Sequence, residues 1–190
     1  MGIYAKVRGA KTTGGGNYFE PDADWVVMVN AVKDIETRDE KPAFIVECKV
    51  LESTCERVKP GAERSWFVDM LKDAAAGNVK HFVMVATEQL TGEAVEDEKC
   101  EACEGSGKVG KLGCKDCDGT GMVSAIDEAG ILEICSERQP YAGLILGLTT
   151  FNKPTREGKP FTRHKWTLLS SVQETKYEEV AVGLGLKKAA

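Results

Sequence analysis

No stretch of the chain approaches the ~18 consecutive apolar residues that a membrane-spanning helix needs. The opening run, MGIYAKVRGAKTTGGGN, has no apolar segment of the kind that drives secretion. These two absences lead us to expect a cytoplasmic protein with no membrane partner. Histidine is nearly missing, with only His81 and His164 present. No G-x-S-x-G elbow, P-loop, H-E-x-x-H or G-x-G-x-x-G after a strand occurs, and the many acidic residues show no spacing that groups them as a two-metal nuclease site. An enzyme is therefore not expected. Excess positive charge is lacking too. Lys+Arg total 25 against 30 Asp+Glu, a formal net charge of −5, which argues against coating duplex DNA by bulk charge and leaves room for a local basic patch.

What is present is enough for one domain with a small insert: 190 residues, 42% of them hydrophobic. Seven cysteines are many for a cytosolic chain, and their odd number speaks against a purely disulfide framework. Four of them, Cys100, Cys103, Cys114 and Cys117, are clustered, whereas Cys48, Cys55 and Cys135 are scattered.

Residues 1–16, with Lys6, Arg8 and Lys11 before a Gly-Gly-Gly run, read as a flexible basic arm. Residues 25–33 are β-branched and apolar. In residues 43–51, Phe44, Val46, Cys48 and Val50 alternate with Ile45, Glu47 and Lys49, the period of a half-buried strand. A third strand is expected over residues 64–70, then a helix capped by Asp73 whose stripe is Val79, Phe82, Val83 and Ala86. After residues 92–123 the helical pattern resumes over 124–136. Strands follow at 141–151 and 161–169, then a polar helix and tail over 171–190. The order β-β-β-α-(insert)-α-β-β predicts a mainly β, α+β fold: a five-stranded Greek-key barrel of the OB type, with the helix plugging it between strands three and four. The barrel would comprise residues 17–91 and 124–170.

The insert contains CEACEGSG at 100–107 and CKDCDGTG at 114–121. Two C-x-x-C knuckles set four thiolates around a tetrahedron, which Zn²⁺ accepts. The glycines after each pair let backbone N–H groups turn toward the sulfurs and stabilise a doubly negative site. Four cysteines close the metal's coordination shell, so the zinc is expected to be structural, stapling a finger with no core of its own. The knuckles resemble half of the zinc-binding region of DnaJ-type chaperones. That likeness covers about 22 residues, and the J-domain and client-binding region of that family have no counterpart here.

The strongest positional charge lies on the last hairpin. Lys153, Arg156, Lys159, Arg163 and Lys165 face a single acid, Glu157, with Phe151, Phe161 and Trp166 nearby. On an OB barrel this hairpin walls the oligonucleotide groove, and basic residues beside aromatics suit single-strand binding. Lys49 and Arg64 add charge along the first strands. Trp66 and Phe67 are neighbours on one strand and point to opposite faces, so one is core and the other exposed. Trp66, Phe151 and Trp166 are the candidates for stacking on bases.

The run GGGNYFEPDADWVVMVNAVKDIETRDEKPAFIVECKVLES, with KPGAERSWFVDM, GNVKHFVMVA and the ending GKPFTRHKWTLL, resembles small bacteriophage proteins of OB type that bind single-stranded DNA in replication and recombination. The resemblance implies a chain in the host cytoplasm that protects single strands and contacts replication or recombination proteins. It also departs from the pattern, ending GLGLKKAA instead of in an acidic tail, which makes the finger the candidate for docking such partners. A homodimer is compatible with the sequence. The competing reading is an adaptor that uses the finger to bind protein, with the barrel as mere scaffold.

Overall fold

The computed structural model describes residues 17–154, 158 and 161–187, residue 118 excepted. The basic arm, Arg156 and Lys159 lie outside the described residues. Strands β1 (Ala23–Glu36), β2 (Pro42–Ser53) and β3 (Glu63–Asp69) precede helix α1 (Ala75–Thr91). Four two-residue strands follow: β4 (Glu98–Lys99), β5 (Lys108–Val109), β6 (Leu112–Gly113) and β7 (Met122–Val123). Helix α2 (Glu128–Ile134), strands β8 (Ile145–Asn152) and β9 (Thr162–Thr167), and helix α3 (Ser171–Gly183) complete the chain. No helix among the described residues is long and apolar enough to cross a membrane.

The long strands form one antiparallel sheet in the order β3-β2-β1-β8-β9. The alternation in β2 does what its sequence predicts: Phe44, Val46, Cys48 and Val50 are buried, and the residues between them are half-exposed. On the same inner face, Trp66 of β3 and Trp166 of β9 meet with ring centroids 5.5 Å apart, and Phe82 of α1 lies 5.7 and 4.9 Å from them. The sheet therefore curls around α1 until its two edge strands share a core. Helix α1 begins at Ala75 without a side-chain cap, not at the expected Asp73. Backbone bonds from Lys72 N to Asp69 O and from Ala75 N to Lys72 O already carry the chain through that turn.

A closed barrel was expected, but among the described residues no ladder joins β3 to β9. The seam is filled from the N-terminal side of β1. Ser65 N donates to Asn17 O at 2.8 Å, Tyr18 makes an isolated parallel bridge to Ser65, and the Phe19 ring packs 6.2 Å from that of His164 on β9. Arg64 fastens this segment, its Nε and Nη2 donating to the two carboxylate oxygens of Glu20 at 3.1 and 2.8 Å. Burial pushes the Glu20 carboxyl pKa up, but the hydrogen bonds and charge of Arg64 outweigh it and the net shift is downward from 4.5. A carboxylate lowered by folding adds stability above its unfolded pKa and loses it as pH falls through the folded value. Arg64→Ala should therefore lower the melting temperature at pH 7, and the gap from wild type should narrow below about pH 4.5. A gap that stays constant from pH 7 to pH 3 would contradict this role for the pair.

Helix α3 starts at a reciprocal Ser170–Gln173 capping box. It lies on the outer face of the sheet, where Tyr177 and Ala181 cover Met28, Leu51 and Ile145. The rest of the outer face is where ligands can reach the sheet.

Candidate metal centre and nucleic-acid interface

The insert is built as two equivalent half-turns. After Cys100, Gly105 N bonds to Cys100 O and Ser106 N to Cys103 O. After Cys114, Gly119 N bonds to Cys114 O and Thr120 N to Cys117 O. The halves interlock through Cys100 N to Gly121 O and Cys114 N to Gly107 O, both 2.9 Å. Ser106 and Thr120 hydroxyls each donate to the carbonyl three residues back, at 2.7 and 2.6 Å. The contact between halves requires glycine. Gly107 and Gly121 both have positive φ, and a Cβ on either would sit 2.3 Å from a carbonyl oxygen of the other half.

This interlock brings Cys100, Cys103, Cys114 and Cys117 together, all buried, with their sulfurs within 4.8 Å of one another. The expected N–H to sulfur bonds are present: Gly107 N donates to Cys103 Sγ at 3.3 Å and Gly121 N to Cys117 Sγ at 3.2 Å. Burial pushes the Cys100 thiol up to about 12 and raises that of Cys114, while against the effect of burial the Gly121 backbone and the neighbouring cysteines bring Cys117 down to about 7. Four thiolates packed this closely would need a cation to compensate them. Four convergent sulfurs, with no carboxylate or imidazole joining them among the described residues, fit a soft or borderline ion in tetrahedral geometry. The finger's base is tied to the body by an ion pair between Lys80 of α1 and Asp97.

The residues proposed for nucleic acid divide into three groups. Arg163 and Lys165 lie exposed on the outer face of β9, opposite Phe151 and Thr149 of β8. Phe151, Phe161 and Lys153 are exposed as well. No ion pair joins Lys153, Arg163 or Lys165 to another described residue. His164 points inward, where burial lowers its pKa to about 4, so it adds no positive charge at neutral pH.

Trp66 and Trp166 are corrections. Both are buried, at 4% and 1% exposure, because their strand positions face α1, and a base cannot stack on a ring enclosed in the core. Lys49 and Arg64 are also taken up elsewhere, Lys49 by Glu63 at 2.6 Å and Arg64 by Glu20. Their charges serve the sheet and its seam.

The exposed partner of the Trp66–Phe67 pair is Phe67, and it extends a row across the outer face to which the structure adds Tyr18, a residue without a sequence signal of its own. Lys33 of β1 stands opposite Ile45 of β2, and Ile45 opposite Phe67 of β3. Tyr18 in the seam meets Phe67 edge-to-face with centroids 6.5 Å apart. Phe19 points inward beside Tyr18, so Tyr18 faces outward between Phe67 and the β9 edge. The outer face thus presents Phe67 and Tyr18, and beyond the seam Arg163, Lys165 and Phe151. The signal for Tyr18 was its alternation with Phe19, readable only once the segment is known to line the seam.

The chain matches no protein-family model and no curated protein.

Proposed function

We propose that this protein binds single-stranded DNA without sequence preference, as a replication or recombination protein of the bacteriophage type, on an OB-type barrel carrying a structural Zn²⁺ finger. The observation that carries the reading is the outer surface just described, where exposed aromatic rings lie on both sides of one seam and cationic side chains stand beside them. The reading is supported by the sheet order and by the helix under the curl between the third and fourth long strands, which are compatible with an OB-type barrel opened at one seam, a fold that takes oligonucleotides on its outer strands. Phe67, Tyr18 and Phe151 would stack on bases, while Lys153, Arg163 and Lys165, with Arg156 and Lys159 of the same hairpin, would neutralise phosphates. Cys100, Cys103, Cys114 and Cys117 would hold the zinc, whose closed shell supplies no reaction and fixes the finger's shape.

Two variants test the division of labour. Phe67→Ala should weaken affinity for an oligothymidylate about tenfold, since base–aromatic stacking contributes ~1–3 kcal/mol. Arg163→Ala/Lys165→Ala should lower the slope of log K against log salt by about 1.4, at ~0.7 per phosphate for single strands. If neither variant changes binding, the outer face is not the DNA site.

A further inference from the structure

Beyond the cysteine cluster the finger ends in the β5–β6 hairpin, whose apolar side chains stand in solvent: Leu112 is 75% exposed and Val109 53%. Lys108, Lys111 and Lys115 surround them, and no acidic residue occurs from 105 to 115. The tip is both cationic and aliphatic. It carries no aromatic ring on which a base could stack, so its chemistry favours a protein surface with an apolar socket and an acidic rim.

The same chain carries such a socket. A cavity of about 330 Å³ opens where the finger rejoins the body, between α1, α2 and the strands beneath, with Phe44, Val79 and Ile131 among its apolar walls. Asp34, Asp127 and Glu128 stand at its mouth and are exposed. The lysine in its lining, Lys80, is already engaged by Asp97. The volume admits Leu112 and Val109 together. A finger cannot deliver its own tip there, because the four-cysteine cluster stands between the two. The Cys100–Gly121 bond closes it on the body side and the Cys114–Gly107 bond on the tip side.

We propose that the finger tip of one copy docks in the α1–α2 cavity of the next, forming a head-to-tail array. Such a contact joins two different patches, so it propagates instead of closing as a two-fold dimer does. The inference goes beyond DNA binding and is tested without DNA, so its failure and the failure of the DNA-binding reading are distinguishable.

Sedimentation velocity of the zinc-loaded full chain, over a concentration series and at two salt concentrations, reads the association directly. The wild type should sediment faster as concentration rises, and less so at high salt. Leu112→Asp should stay monomeric while retaining its zinc content, as should the tip-reversed variant Lys108→Glu/Lys111→Glu and the rim-reversed variant Asp34→Lys/Glu128→Lys. Mixing the two charge-reversed variants makes the tip of each complementary to the rim of the other and should restore association, with the two variants alternating along the array. A wild type that remains monomeric at the highest attainable concentration overturns the proposal. So does a Leu112→Asp variant that associates like wild type, or a mixture that stays monomeric.

Discussion

Removing the metal, by chelation or by Cys103→Ser, is expected to unfold residues 98–123 and leave the curled sheet folded. Among the described residues the finger's buried side chains are those of the four cysteines, and its strands are two residues long. Its hydrogen bonds alone, without a packed apolar core, are a small offset to the entropy of ordering this segment, so a metal held by the four sulfurs is expected to supply most of the rest. Structural zinc contributes an apparent ~10–16 kcal/mol in isolated finger peptides, far more than two-residue ladders can replace. The body has its own core of more than twenty side chains, including Trp25, Phe44, Trp66, Phe82 and Trp166, none of which touches a sulfur ligand in that cluster. Limited proteolysis of the chelated protein should cut within residues 98–123 and spare the rest, while metal analysis falls from one equivalent to none. Protease resistance of the finger after complete removal of metal would contradict the structural assignment.

Trp166→Ala is expected to destabilise the protein by ~3–5 kcal/mol, the range for deleting a buried aromatic. The ring is 1% exposed and packs against Trp66 on the opposite edge strand and Phe82 on α1. Its loss removes the contact that draws the two edges of the sheet together. Phe67→Ala removes a ring that is 38% exposed on the outer face, and its cost should stay near ~0.5 kcal/mol, as for most surface changes. Denaturant midpoints of the two variants separate the roles. Equal destabilisation by both would mean that Phe67 is a packing residue and not a ligand platform.

The strands and the metal centre were legible because their signals are local. Phe44, Val46, Cys48 and Val50 alternate within one segment, and four cysteines at C-x-x-C spacing announce their own geometry. The seam was not legible, because it depends on contacts between distant residues: Arg64 with Glu20, Ser65 with Asn17, Phe19 with His164. Composition along the chain contains no trace of such pairings. The Trp66–Phe67 pair shows where local reading stops. Period two places the rings on opposite faces, but only the pairing of Trp66 with buried Val46, and of Phe67 with half-exposed Ile45, decides which face is inside. The same limit applies to charge. Lys49 and Arg64 read as available cations until Glu63 and Glu20 are found across the sheet and the seam.

The most direct test of single-strand binding is fluorescence anisotropy of a labelled oligonucleotide of ~25 residues at two salt concentrations, with duplex DNA as competitor. Binding to the single strand should weaken steeply with salt, and duplex should fail to compete it away. No binding at low salt, or equal competition by duplex, would contradict it.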